Sequence, residues 1–297
     1  MSGGNIMTSI SNLFFAHLCV STARGRRYLI IGFSVFSFFL TLSIPGFLFA
    51  DIKKEFYPNG KLKTEYVYIG GKLNGISKGY YENGTLRGQF NFKNGVLDGI
   101  SSEYYDNGEF LAEFTYMNGT LHGTVKRFYE NGKLHKEEIY ENGVPAGKSN
   151  EYYETGELMA VYPYKNGIIE GPIKNFYKNG KLKKETFIKD EKESGLTRVY
   201  YDTGELKEEY NLIDGKMDGV CKEYYKNGQV KSVKIFDQGK EKGTRKMFYE
   251  TGMKMEESDF KNGMREGITK RYYPTGVMQY IETYKNGEII DKKSYDR

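Results

Sequence analysis

Residues 80–99 read YYENGTLRGQFNFKNGVLDG. The stretch holds an aromatic pair, an Asn-Gly, a leucine, an aromatic-rich run, a second Asn-Gly and a closing glycine. Asn-Gly tolerates the positive φ values of a two-residue hairpin turn. Between the two turns, Leu86, Gly88, Phe90 and Phe92 fall on one side and Arg87, Gln89 and Asn91 on the other. That period of two predicts a half-buried β-strand.

The same pattern recurs every 24 residues from about residue 52 to the C-terminus. The first turn glycine runs from Gly60 to Gly276 in unbroken 24-residue steps. A second series runs from Gly71 to Gly287 with one gap, Glu191, inside KDEKESG (189–195). A third runs from Gly75 to Gly267. Three glycine series in phase signify a tandem repeat architecture. The residue after the first aromatic is tyrosine in every unit, from Tyr57 to Tyr273. Four first turns use Thr-Gly (155–156, 203–204, 251–252, 275–276). A β-branched residue disfavours positive φ, so those turns are expected to be wider, with glycine alone at positive φ.

The predicted fold is all-β: an elongated, single-sheet solenoid of stacked antiparallel hairpins following an N-terminal hydrophobic helix. About 20 strands at ~4.8 Å each make a ribbon of roughly 95 Å before twist shortens it. One aromatic of each pair is expected to face inward and its neighbour outward. The segment IDKKSY (290–295) opens an eleventh unit and stops, which reads as a charged cap on an exposed edge.

Three segments follow: an unpatterned, basic-ended stretch (1–27), an apolar stretch (28–50) and the repeat array (51–297). The apolar stretch, YLIIGFSVFSFFLTLSIPGFLFA, carries no charge and follows RGRR (24–27). It reads as an export signal or a membrane anchor, with the basic flank inside and the repeats outside the cytoplasmic membrane. Pro45, Gly46 and Ala50 suit cleavage, whereas the length of the run suits a retained anchor. Formal charge is +5, but Arg24, Arg26 and Arg27 leave only +2 for the repeats. That near balance gives no case for nucleic acid. Of the two cysteines, only Cys221 lies in the repeats, so no disulfide framework forms within one chain, and Cys19 precedes the apolar run rather than ending it as a lipoprotein cysteine would.

The unit YxNGxLxGxxxxYxNGxxxG resembles the MORN repeat, in particular its bacterial MORN-2 type as found in the YwqK-like family labelled antitoxins. The nearest stretches are Tyr116–Gly123 and Phe128–Leu134, and the resemblance covers residues 52–292. It implies stacked hairpins in an elongated, curved sheet, and roles in membrane or phospholipid association, scaffolding and dimerisation. The tryptophan usual in the classical repeat is absent here.

A catalytic site would appear as a unit that departs from the others in a chemically useful way, and none does. His122 stands where other units carry Asp98, Glu170, Asp218 and Glu266, which reads as a polar loop position, and His135 reads the same way. His17 lies ahead of the apolar stretch. No Ser/His/Asp set, metal-ligand spacing or calcium loop stands out, so no catalytic residue, metal or cofactor is assigned. Lys54, Lys78, Lys126, Lys174, Arg198, Lys222, Lys246 and Lys270 form a periodic basic row. Glu65, Glu113, Glu137, Glu185, Glu209 and Glu257 form an acidic row suited to cross-strand pairing with it. The recurring tyrosine is expected to fill the apolar side of the sheet. KDEKESG is expected to form a bulged loop or a flexible point.

The sequence therefore predicts a non-catalytic, exported or membrane-attached repeat protein that meets a protein or envelope surface. A phospholipid-associated scaffold and a toxin-binding antitoxin or immunity protein are the alternatives.

Overall fold

The computed structural model describes residues 49–295. Among them there is no helix, and 27 strands form one open antiparallel sheet. Pairing follows chain order from the strand Ala50–Phe56 to the strand Glu288–Ser294, so the sheet is a continuous meander. Six strands are two-residue stubs, such as Val96–Leu97, that lead into the next strand. Counted with their continuations they leave twenty-one rungs, close to the number expected from the repeat. The first strand starts at Ala50, the last residue of the apolar stretch. Residues 28–48 of that stretch, and with them the expected helix, lie outside the described residues, as do His17 and Cys19.

Both turns of the unit contain Asn-Gly, yet they differ. At the second turn Asn94 (φ 52°) and Gly95 (φ 91°) both adopt positive φ, the tight two-residue hairpin. At the first turn only glycine does: Gly84 has φ 99° and Asn83 does not join it. There Gly84 N–H donates to Tyr81 O (2.9 Å) and Tyr81 N–H to Thr85 O (2.8 Å), a wider loop with a left-handed glycine. Asn83 instead uses its side-chain carbonyl to accept from Thr85 N–H (2.8 Å). This corrects the two-residue reading of the first Asn-Gly. Thr155-Gly156 forms the same wide turn, because its threonine needs no positive φ.

KDEKESG is also corrected. It keeps the tight two-residue turn, with Asp190 at φ 49° and Glu191 at φ 61°. The pairing Lys189↔Lys192 closes it like its neighbours, so there is no bulged loop.

The two faces of the sheet are unlike. On the packed face a small residue on several first strands lies opposite a larger one on the second. Examples are Ser77↔Phe90, Ser101↔Phe114, Ser149↔Tyr162 and Thr197↔Tyr210. The pairs Ile173↔Thr186 and Arg245↔Ser258 reverse the order. Ser77 is 1 % exposed and Ser101, Val125 and Thr197 are fully enclosed. Crowding explains the size limit: a Cβ on Gly88 would lie 2.9 Å from the Phe90 ring. The apolar core sits here, formed by Ala112, Phe114, Tyr116 and Val125 with Leu97, Leu121 and Tyr140 against them.

Buried ion pairs enter this face at Glu138, opposite Val125 and held by Arg127 and, at 2.7 Å, by Lys136, and they become more frequent toward the C-terminus. Glu241, Glu256 and Glu282 are buried, each with a cationic partner. Arg245 Nε donates to Glu241 (2.7 Å), Arg265 and Arg271 to Glu256 (2.8 and 3.1 Å), and Lys292 to Glu282 (2.7 Å). A buried carboxylate is tolerated only when paired in this way.

Candidate interaction surface

The recurring tyrosine does not fill the apolar side of the sheet. It sits half-buried at the first-turn edge and reaches into the next unit. Tyr57 Oη donates to Tyr80 O, Tyr81 to Tyr104 O, and so on to Tyr249 and Tyr272 O, all at 2.7–2.9 Å. Every junction between adjacent units from 57 to 272 thus carries one such clasp. Lysines lie over several of these rings, as with Lys183 over Tyr177 and Lys207 over Tyr201. The first aromatic of the pair lies on the other face from Ser77. There Tyr224 Oη donates to Glu209 (2.7 Å), and burial together with that carboxylate pushes its pKa up to about 12. The expected inward and outward split is therefore replaced by one residue on a face and one at the edge. At the opposite edge, second-turn glycines from Gly95 onward donate their N–H groups to the preceding unit, as Gly119 does to Leu97 O (2.7 Å).

The face opposite the packed one carries the basic and acidic rows. First-strand cations stand directly opposite second-strand acids: Lys54↔Glu65, Lys126↔Glu137, Arg198↔Glu209 and Lys246↔Glu257. The next strand over repeats the match, as in Glu113↔Lys126 and Glu185↔Arg198. Ion pairs form at Lys54–Glu65 (2.9 Å), Lys174–Glu185 (3.4 Å), Lys126–Glu137 (3.8 Å) and Lys222–Glu209 (3.8 Å). The result is a single-file ladder whose sign alternates from strand to strand. Exposed pairs of this kind contribute little stability, about 0–1 kcal/mol each.

Beside the ladder, toward the second-turn edge, runs a stripe that sequence reading did not single out. Its cross-strand pairs include Ile52↔Val67, Ile76↔Asn91, Ile100↔Thr115, Thr124↔Ile139, Leu196↔Asn211, Val220↔Ile235 and Ile268↔Thr283. Charge enters between Ile52 and Thr283 only at Lys148 and Asp259. Asp259 is tied down by the Thr244 hydroxyl (2.7 Å). Ile76 is 48 % exposed and Ile100 57 %, and Leu196, Val220 and Ile268 are similarly open.

The residues weighed for chemistry find structural uses. Asn142 N–H donates to His122 Nδ1 (3.5 Å), the place that Asp98 fills for Asn118 N–H (3.1 Å). His135 lies 4.3 Å from the Tyr129 ring and 3.7 Å from Glu151. Burial pushes the Cys221 thiol up to about 11. Among the described residues no group of three His, Cys, Asp or Glu side chains is placed to hold a metal ion. Nor is any helix among them long and apolar enough to cross a membrane.

No curated protein matches this chain. Among solved structures it is similar to crystal structures of TcdB2-TccC3, TcdB2-TccC3-Cdc42 and TcdB2-TccC3 without the hypervariable C-terminal region. Identities are 13 %, 15 % and 14 %, over 78 % of this chain in each case, with TM-scores of 0.20, 0.15 and 0.20. The chain spans 14–15 % of the length of those chains. The MORN repeat variant pattern matches ten consecutive segments: 52–69, 73–94, 97–118, 121–142, 145–166, 169–190, 193–214, 217–238, 241–262 and 265–286. Matched unit by unit over most of its length, the chain belongs to the MORN repeat variant family.

Proposed function

We propose that this protein is a non-catalytic interaction protein that presents the largely apolar stripe of its ladder face to a protein partner. The observation that carries this reading is the stripe itself. Elsewhere the recurring side chains are used up in clasping units, closing turns or pairing charges. The stripe is mostly apolar, with Asn and Thr between its Ile, Leu and Val, and carries charge only at Lys148 and Asp259. It is largely exposed and runs the length of the sheet, and surfaces of that kind mark interaction sites. Repeats stacked in one dimension suit the role, because they supply an extended surface from a small motif.

We further propose that the repeats stand outside the cytoplasmic membrane, in the periplasm, at the cell surface or beyond; the uncharged stretch at 28–50 behind RGRR (24–27) supports this reading. An anionic membrane surface is a weaker reading for the partner, since the glutamate row neutralises the lysine row.

Site-specific photo-crosslinking in native cells tests the surface. Crosslinkers at Ile76, Ile100, Leu196 and Val220 are expected to give discrete protein adducts, whereas one at Glu109 on the first-turn edge gives none. Equal yields at all positions, or none at the stripe, would discard the reading. Protease treatment of intact and permeabilised cells tests the location, and repeats digested only after permeabilisation of the inner membrane would contradict it.

A further inference from the structure

We infer that a notch at the second-turn edge, around Asn262, takes an aspartate or glutamate side chain of the protein partner. The inference rests on the interaction reading above and names the chemistry that the partner brings.

In a tight two-residue turn the N–H of the residue before the glycine has no ladder partner. In this chain the preceding unit supplies its acceptor. Asp98 accepts from Asn118 N–H (3.1 Å), Asp218 from Gln238 N–H (3.2 Å) and Glu266 from Asn286 N–H (2.6 Å). For Asn262 the corresponding residue is Lys242, which has no acceptor to offer. Among the described residues Asn262 N–H meets no other acceptor. The turns at Asn94, Asn166, Asp190 and Asp214 lack the bond too, but the residues in the capping place are Asn74, Ala146, Glu170 and Ser194, none of them a cation. Only at Asn262 is the missing carboxylate replaced by a positive charge.

Around that N–H lies an open notch of about 400 Å³, lined by Lys216, Asp237, Gln238, Lys240 and Lys242. Its positive charge is in surplus. Asp237 is bound by Lys242 (2.9 Å), and Asp218 is spent on Gln238 N–H. Lys216 and Lys240 have no ion pair among the described residues. A free N–H beside unpaired ammonium groups suits the oxygens of an anion, through charge-assisted hydrogen bonds. A carboxylate is the anion that already holds the equivalent N–H in three other units.

The notch opens on the face that carries the stripe. Lys242 stands opposite Ile235, and Ile235 opposite Val220. Lys240 and Lys216 stand opposite Asp237 and Ile213 on the same face. A chain lying along the stripe therefore passes the mouth of the notch. The stripe gives contact area but repeats every unit, so it leaves the position of a partner along the ribbon undetermined. One charged pair at a single unit fixes that position.

The test follows backbone amide resonances of the isotope-labelled full chain in mild detergent, at constant ionic strength. The probe is aspartate blocked at both ends, so that only its side chain is charged. Asn262 N–H is expected to shift, and Gln238 and Asn286 N–H, already capped, to stay. Blocked asparagine is expected to leave all three unmoved. Lys240→Gln is expected to weaken the response about tenfold. Lys242→Asp supplies the cap from within and is expected to abolish it at an unchanged melting temperature, whereas Lys242→Arg retains it. In cells, adducts from a crosslinker at Val220 are expected to disappear with Lys242→Asp and to remain with Lys242→Arg. An Asn262 resonance that ignores the probe, or an equal shift at Asn166, where no lysine replaces the cap, overturns the inference. Inorganic phosphate that saturates the notch while blocked aspartate does not would replace the side chain by a free oxyanion. Val220 adducts that persist with Lys242→Asp remove the notch and leave the interaction reading standing. No adducts at any stripe position remove that reading, and the partner with it.

Discussion

Glu191 occupies a position that is glycine in every other unit, at φ 61°. A left-handed backbone costs a non-glycine residue roughly 1–2 kcal/mol. Glu191→Gly is therefore expected to stabilise the chain by about 1 kcal/mol, read as a higher denaturant midpoint with an unchanged slope. An unchanged midpoint would mean that the turn carries no strain. Glu103 gives a pH-dependent case. Burial raises its pKa above the ordinary carboxylate value, against the pull of Arg87 and Arg127. A raised carboxyl pKa means that ionisation costs stability once pH exceeds the unfolded value. Glu103→Gln is expected to raise the melting temperature at neutral pH, with the advantage vanishing below the carboxylate range. A gain that persists in acid would contradict this origin.

The element that builds the ribbon is the clasped hairpin. Tyr153 Oη donates to Phe176 O at 2.8 Å, across the boundary between two units. Tyr153→Phe removes that bond and leaves a partly buried carbonyl without its partner, a loss of about 1 kcal/mol. Because the clasp joins neighbours, hydrogen exchange is expected to accelerate on both sides of the 153–176 boundary. Acceleration confined to the substituted turn would show that units are held together by other means. The two Asn-Gly turns show how much of this element was legible. Their place and spacing were plain in residues 83–84 and 94–95, but one dipeptide serves two turn geometries. The register of the flanking strands decides between them: a bulge between Gly79 and Tyr80 inserts a residue on the Leu86 side. The tyrosine clasp was illegible for a related reason, since its acceptor is a backbone carbonyl 23 residues away.

For the whole molecule, buried ion pairs on the packed face grow more frequent along its length, from the single Glu138 cluster beside the aromatic core to Glu241, Glu256 and Glu282. Glu223 and Glu282 illustrate the acid-sensitive end. Burial alone would raise both pKa values, but hydrogen bonds from Lys231 to Glu223 and from Lys292 and Tyr284 to Glu282 outweigh it and hold both low. A depressed carboxyl pKa contributes stability above the unfolded value and loses it as pH falls through the folded one. Acidification below the ordinary carboxylate range is therefore expected to speed hydrogen exchange first in residues 219–294. The aromatic core around Phe114 and Tyr116 should hold to lower pH. Uniform acceleration along the ribbon, or earlier loss around Phe114, would refute this division.

The sequence by itself determined the 24-residue period, the meander and the pairing of lysine with glutamate. Turn glycines, alternation and charge order are local properties that repetition makes visible. Which face packs and which stays open was decided only by the tertiary structure, and against hydropathy: Ser77 is enclosed while Ile76 is exposed. The reason is steric. Aromatic rings such as Phe90 on the neighbouring strand leave room for a small side chain only at Ser77, so size overrides polarity there. The isoleucines are then left on the open side, in a largely apolar stripe that no single unit displays.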